Sequence, residues 1–290
     1  MYKLIAEIGG NHKGEIEVAK KMIKIAATEC KADIIKFQKR SNKTLLTSDE
    51  YSSPHPNPEN SYGKTYGEHR EYLEFSIEEH LILKKECEKF GSEYSTSVWD
   101  IKSAEEVVNI KPNSIKIPSA QNLNFDLIEF IYTSFEGDIH ISLGMTTSDE
   151  IEMIVDHSKK FKRNTDIILY HCTSDYPVKF NNLNLLEIKN LIIKYSKDFK
   201  GIGFSGHHNG IAMDISALTL GAKYVERHFT LDRSWKGTDH AASLEPQGLR
   251  KLKRDMNNLE LALKYKENRN SIDESEKIQF EKLKWKKSVH

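Results

Sequence analysis

The stretch Gly203-Phe204-Ser205-Gly206-His207-His208, followed by Tyr224-Val225-Glu226-Arg227-His228-Phe229-Thr230, decides the reading of the fold. Each segment is a short β-type run that ends in a histidine, and an amphipathic stretch at 211–220 separates them. Strand, helix and strand in that order make a parallel βα unit. The same alternation extends back to the N-terminus, with strand candidates at 4–8, 34–37, 93–96, 114–117, 139–142, 167–171, 202–204 and 224–226. Helix candidates fall at 16–28, 77–90, 125–133, 149–159, 185–197, 211–220 and 246–265, the second with Ser76 and Glu79 as a capping box. Eight βα units predict an α/β fold, a closed (β/α)8 TIM barrel in a single domain over 1–265. A charged C-terminal tail follows at 266–290. One connection, 39–75, exceeds the usual loop length, and such loops are commonly functional or disordered.

Composition narrows the function. The chain has 290 residues, and Lys plus Arg equals Asp plus Glu at 43 each, so no net charge favours nucleic acid or a membrane surface. The N-terminus MYKLIAEIGG lacks the pattern of a secretory signal, and no apolar run reaches membrane-spanning length. The 3 cysteines, Cys30, Cys87 and Cys172, are far apart with no CxxC spacing, which points to a reducing compartment and a cytoplasmic location.

Functional groups of such a barrel gather at the C-terminal ends of its strands, so the residues there are themselves a prediction. Glu7 ends the first strand, and a buried carboxylate there acts as general base or substrate anchor, or pairs with a lysine such as Lys36. Lys36 and Lys116, read as lying on neighbouring strands and ringed by Ser and Thr hydroxyls, suit a phosphate or a phosphorylated carboxylic acid. His207 and His228 are candidate ligands for one metal ion. Two histidines without cysteine leave coordination positions open, which suits Mn2+, Mg2+ or a similar divalent ion. His12 is a further candidate ligand, and Cys172 a candidate nucleophile by position.

Taken together, IAEIGGNHKG (5–14), IIKFQ (34–38), SYGKTYGEHREYLEFS (61–76), SIKIPSA (114–120), SLGMTT (142–147), HCTSDYP (171–177), IGFSGHHNGIA (202–212) and YVERHFTLDRSWKGTDHAASLEP (224–246) resemble the sialic acid synthases, the N-acetylneuraminate synthase family. The resemblance implies condensation of phosphoenolpyruvate with an N-acetylmannosamine-type amino sugar, giving a sialic acid-like nonulosonic acid and phosphate. It implies that Lys36, Thr96, Lys116, Ser119, Ser142, Ser174, Tyr176 and Ser205 hold phosphoenolpyruvate, and that His207 and His228 hold a divalent metal, Mn2+ foremost. Gln38, Tyr176 and Asp239 become sugar contacts, and Glu7 positions or deprotonates groups near the reacting centre. Gln121, in SAQN, is counted among the substrate-binding positions, although family members often carry an acid there.

The resemblance extends over the catalytic barrel and not over the small antifreeze-like C-terminal domain that usually follows it. The expectation is therefore that the 39–75 loop, Arg70 or Arg233, or a separate antifreeze-like domain protein completes the sugar pocket. A homodimer through barrel faces is compatible with the resemblance. The other readings are a metal-dependent keto-acid aldolase or lyase, and a catalytically impaired sugar-binding barrel.

Overall fold

Eight parallel strands, β1 (Lys3–Glu7), β2 (Ile34–Lys39), β3 (Glu93–Val98), β4 (Ser114–Ile117), β5 (Asp138–Ser142), β6 (Ile167–Cys172), β7 (Gly201–Gly206) and β8 (Tyr224–His228), close into a barrel in chain order. β8 pairs back onto β1, with Glu7 opposite His228. The computed structural model describes residues 2–285. The (β/α)8 expectation holds. Around the strands lie α1 (Ile16–Thr28), α5 (Ile77–Lys89), α6 (Ile101–Asn109), α7 (Phe125–Ser134), α8 (Ser148–Lys160), α9 (Leu186–Tyr195), α10 (Ala212–Thr219) and α11 (Pro246–Ala262). Helix α6 escaped the sequence reading; it begins where Asp100 accepts a hydrogen bond from the Ser103 backbone N–H at 2.8 Å, and it buries Ala104 and Val107.

The period of two along each strand divides the residues between two environments. Leu4, Ala6, Ile8, Ile35, Phe37, Ile115, Ile117 and Val225 belong to the apolar core between strands and helices. The alternate residues face the barrel axis, and toward the C-terminal mouth they are almost all polar: Glu7, Lys36, Gln38, Ser97, Lys116, Ser142, Ser205, Glu226 and His228. Register sets their heights, since Glu7 lies opposite Lys36, Gln38 opposite Ser97, and Ser205 opposite Glu226. Lys36 and Lys116 do not sit on neighbouring strands as expected; β3 lies between them.

The long connection after β2 is ordered rather than loose. It holds three short helices, α2 (Asn42–Leu45), α3 (Ser48–Ser52) and α4 (Tyr66–Tyr72). Thr47 and Glu50 form a capping box at the start of α3. Tyr62 stacks on Tyr72 with centroids 5.0 Å apart, and its hydroxyl donates to the Lys236 carbonyl at 2.5 Å, tying the connection to the loop after β8. Of the expected tail 266–290, the described part includes the helix α12 (Lys277–Leu283), whose Ile278 and Leu283 are exposed, and residues 286–290 lie outside the described residues. Among the described residues no helix is long and apolar enough to cross a membrane.

Below the mouth the axis is filled by Tyr170, whose hydroxyl shares a 2.9 Å hydrogen bond with His140 Nδ1. Gly203 on β7 makes room for that ring, because a Cβ there would lie 2.5 Å from Tyr170 Cε1. Gly203→Ala therefore destabilises the barrel by about 1–3 kcal/mol, read as a lower urea midpoint at unchanged slope. An unaltered midpoint would mean that the Tyr170 ring is free to yield.

Candidate active site

The largest concentration of buried charge in the barrel lies at its C-terminal mouth, on a cavity of about 380 Å³. At its base the Glu226 carboxylate is shared. Lys116 Nζ donates to Glu226 Oε1 at 2.6 Å, Ser205 Oγ reaches the same oxygen at 3.1 Å, and Lys36 Nζ lies 3.7 Å from Oε2. Lys36 also pairs with Glu7 Oε2 at 2.6 Å and donates to Ser97 Oγ at 2.9 Å. Gln38 Nε2 donates to the other Glu7 oxygen at 2.7 Å. Lys116 rests over the Tyr170 ring, 4.4 Å from its centroid.

These pairs settle the charge states. Burial opposes ionisation of Glu226, but Lys116 and Lys36 outweigh it and hold the carboxyl far below its usual range. Burial likewise opposes the Lys36 ammonium, yet Glu226 and Glu7 raise its pKa above the ordinary value. For Lys116, burial wins and lowers the pKa from 10.5, with Lys36 adding to the effect. Burial raises the Cys172 thiol, which leaves it a poor nucleophile, although it lines the cavity.

Above this base the two histidines face each other, with ring centroids 5.5 Å apart. His207 Nδ1 is 3.0 Å from the Thr173 carbonyl, so Nδ1 carries the proton and Nε2 keeps a free lone pair. Burial and the neighbouring His228 push the His207 pKa down to about 3, keeping the ring neutral. His228 Nδ1 is buried without a hydrogen-bond partner, 3.7 Å from Asp239 Oδ2. A neutral, oriented His207 beside the unpartnered His228 Nδ1 fits a divalent ion. Among the described residues no three His, Cys, Asp or Glu side chains form a ligand cluster, so an ion here would keep positions for water or substrate oxygen.

Of the residues expected from sequence, Glu7, Lys36, Gln38, Lys116, Ser119, Ser142, Ser174, Tyr176, Ser205, His207, His228 and Asp239 all line this one cavity. Tyr176 packs on His207 with centroids 4.1 Å apart. Gly144 lets two serines approach, since a Cβ there would lie 2.6 Å from both Ser119 Oγ and Ser174 Oγ.

Two expected substrate contacts are corrected. Thr96 is fully buried and shares its strand face with Tyr94, which bonds His80 of α5 at 2.7 Å, so it points away from the axis. Its neighbour Ser97 has the inward parity and lines the cavity in its place. Gln121 lies off the cavity and accepts from Asn124 Nδ2 at 2.9 Å in the turn before α7. His12 is corrected as well, because its ring stacks on Phe75 at 4.1 Å and its Nδ1 accepts from the Gly14 N–H at 3.0 Å, outside the mouth. Arg233 bonds the Ala241 carbonyl and is exposed, whereas Arg70 lines the cavity.

Glu226 was missed as a site residue although the signal was present: it stands two residues before His228 on one strand, so both face the axis. Arg40, His69 and Trp99 also line the cavity; His69 lies within the SYGKTYGEHREYLEFS stretch but was given no role, and no motif pointed to Arg40 or Trp99.

The NeuB family model matches residues 22–268. The chain belongs to the NeuB family. It is 38% identical over 263 residues to the N-acetylneuraminate-9-phosphate synthase of Homo sapiens, covering 90% of this chain and 70% of that protein. It is 32% identical over 250 residues to the N,N'-diacetyllegionaminic acid synthase of Campylobacter jejuni, covering 86% and 73%. The crystal structure of an N-acetylneuraminic acid synthetase from Leptospira borgpetersenii, in complex with citrate, superposes with a TM-score of 0.80 at 30% identity, covering 97% of this chain and 90% of that one.

Removing the central carboxylate leaves the buried Lys116 ammonium without its ion-pair partner, while Lys36 keeps Glu7. Glu226→Gln is expected to cost roughly 3–5 kcal/mol of folding stability, whereas Glu93→Gln, which loses only the half-exposed pair with Lys3, costs less than about 1 kcal/mol. Chemical denaturation of both variants checks this, and equal losses would contradict the shared-carboxylate account.

Proposed function

We propose that this protein joins phosphoenolpyruvate to an N-acetylmannosamine-type amino sugar, forming a nine-carbon, sialic acid-like 2-keto acid and releasing phosphate. The observation that carries the reading is one cavity holding Lys36, Lys116 and serine hydroxyls for a phosphorylated acid beside the imidazoles of His207 and His228. Membership in a family whose relatives make sialic and legionaminic acids supports it.

In this reading Lys36 and Lys116 face the carboxylate and phosphate of phosphoenolpyruvate, and Ser97, Ser119, Ser142 and Ser174 donate to its oxygens. Gln38, Tyr176 and Asp239 orient the open-chain sugar. C3 of phosphoenolpyruvate attacks the aldehyde carbon, forming the new C–C bond while the aldehyde oxygen takes up a proton. Water adds at C2 and gives up a proton, and the C2–O bond to phosphate then breaks to leave the ketone. Glu7, facing the cavity, is the carboxylate assigned to receive the water proton. A divalent ion held by His207 and His228, with Mn2+ the first candidate, would supply Lewis acidity toward the aldehyde oxygen.

The direct assay is phosphate release from phosphoenolpyruvate. Release is expected only when phosphoenolpyruvate, Mn2+ and an N-acetylmannosamine-type sugar are all present. His207→Ala and His228→Ala should each lower it by at least about 100-fold and abolish calorimetric Mn2+ binding. No release across a panel of free and phosphorylated mannosamines would rule out the synthase, and full metal-dependent turnover in either variant would rule out the metal assignment.

A further inference from the structure

Behind the two histidines, on the side of β7 and β8 that faces the helices, lies a second buried charge cluster with no part in the chemistry assigned above. Along β8 and the residue after it, the outward parity belongs to Val225, Arg227 and Phe229, and the two flanking residues are part of the apolar core. Arg227 sits between them, fully buried, and pairs with Asp214 of α10 at 2.5 Å. Its guanidinium also donates to the His208 carbonyl at 2.6 Å, to the Gly210 carbonyl at 2.8 Å and to His208 Nε2 at 3.2 Å. One side chain of β8 thereby grips the backbone after β7 at two points and the following helix at a third.

The cluster is a poor device for stability alone. Arg227 Nε, Asp214 Oδ1 and His208 Nδ1 are buried with no hydrogen-bond partner among the described residues. A buried ion pair with donors and acceptors left over carries a desolvation cost that packed apolar side chains avoid. What apolar side chains do not supply is a fixed distance and direction. Arg227 directly precedes His228, and the carbonyl it binds at His208 directly follows His207. Strand β7 ends at Gly206, opposite Arg227 and one residue short of His207, so the β7–β8 ladder stops before the histidine. On its other side His207 is held by the connection after β6, through Nδ1 to the Thr173 carbonyl and through its own carbonyl, which accepts from the Val178 N–H at 3.1 Å. Toward β8, Arg227 supplies the tie.

We infer that Arg227, with Asp214 and His208, is a positioning group that sets the separation and aim of His207 and His228. The inference rests on the reading of that pair as the holder of a divalent ion. Two imidazoles that share one ion must aim their lone pairs at a common point, and a drift beyond roughly 0.5 Å in either ring loses that aim. The planar fork of arginine reaches two carbonyls and a carboxylate at fixed angles, whereas a lysine ammonium is a single point of charge.

The test uses the full chain as the native protein, as Arg227→Lys, and as the paired replacement Arg227→Met with Asp214→Val, which removes both charges together and so strands neither. Calorimetry reads the Mn2+ affinity and, without metal, the phosphoenolpyruvate affinity; urea denaturation reads stability. The Mn2+ Kd should rise about 10- to 100-fold in both variants, the usual effect of losing a group that orients a metal ligand. Phosphoenolpyruvate affinity should move less than about threefold, because Glu226 keeps its own bonds to Lys116 and Ser205. The paired variant should keep a urea midpoint close to the native one. If Arg227→Lys does not fold, the paired variant decides alone. Unchanged Mn2+ affinity in the folded paired variant overturns the inference and leaves the metal assignment intact. Equal losses for Mn2+ and phosphoenolpyruvate also overturn it, since they mark a general loosening of the mouth. Absence of Mn2+ binding in the native chain removes the metal assignment, and this inference with it.

Discussion

The Glu226 carboxylate, buried on the barrel axis between Lys116 and Lys36, is the constraint on which the mouth of this barrel depends. Two ammonium groups so deep in a protein need anions nearby, and Glu226 with Glu7 provides one carboxylate for each. Ser205, Ser97 and Gln38 then use hydrogen-bonding capacity that the ion pairs leave over. The arrangement holds only because β1, β2, β4 and β8 all turn the same parity inward. A slip of one residue on β1, β2 or β4 would exchange a charge for an apolar side chain.

This balance has a functional side. A base that is already neutral can be kept in a folded protein before any substrate arrives, and an incoming phosphorylated acid adds its charge to lysines that are fixed in place. His207 above is neutral for a different reason, burial beside a second imidazole, which preserves the lone pair a divalent ion needs. At the rim Arg40 pairs with Glu74, and Arg70 lies over the Tyr66 and Trp99 rings.

Much of the barrel was legible in the sequence because parallel strands buried on one face by helices leave a repeating apolar and polar rhythm. The strand ends Lys36, Lys116, His207 and His228 could be found from that rhythm alone. The errors were of parity and of partners. Thr96 and Ser97 are adjacent and both hydroxylic, and only the pairing of Ser97 with Gln38 across β2 and β3 decides which one faces the axis. Glu226 looked like any strand acid, since its meaning lies in Lys116, a residue 110 positions away. Arg70 was a candidate from sequence, but Arg40 and Trp99 meet it only through folding of the long connection, so no local pattern announces those two. Helix α6 was passed over, although its Asp100 cap and its buried Ala104 and Val107 are plain once its position between β3 and β4 is known.

The central claim is that the lysine and carboxylate base receives the phosphorylated acid. A crystal structure with phosphoenolpyruvate and Mn2+ tests it most directly. The account predicts the carboxylate and phosphate oxygens within hydrogen-bond distance of Lys36 or Lys116 and the surrounding serines, with the ion on His207 and His228. Phosphoenolpyruvate bound at Arg40 and Arg70 instead, with the base untouched, would contradict it.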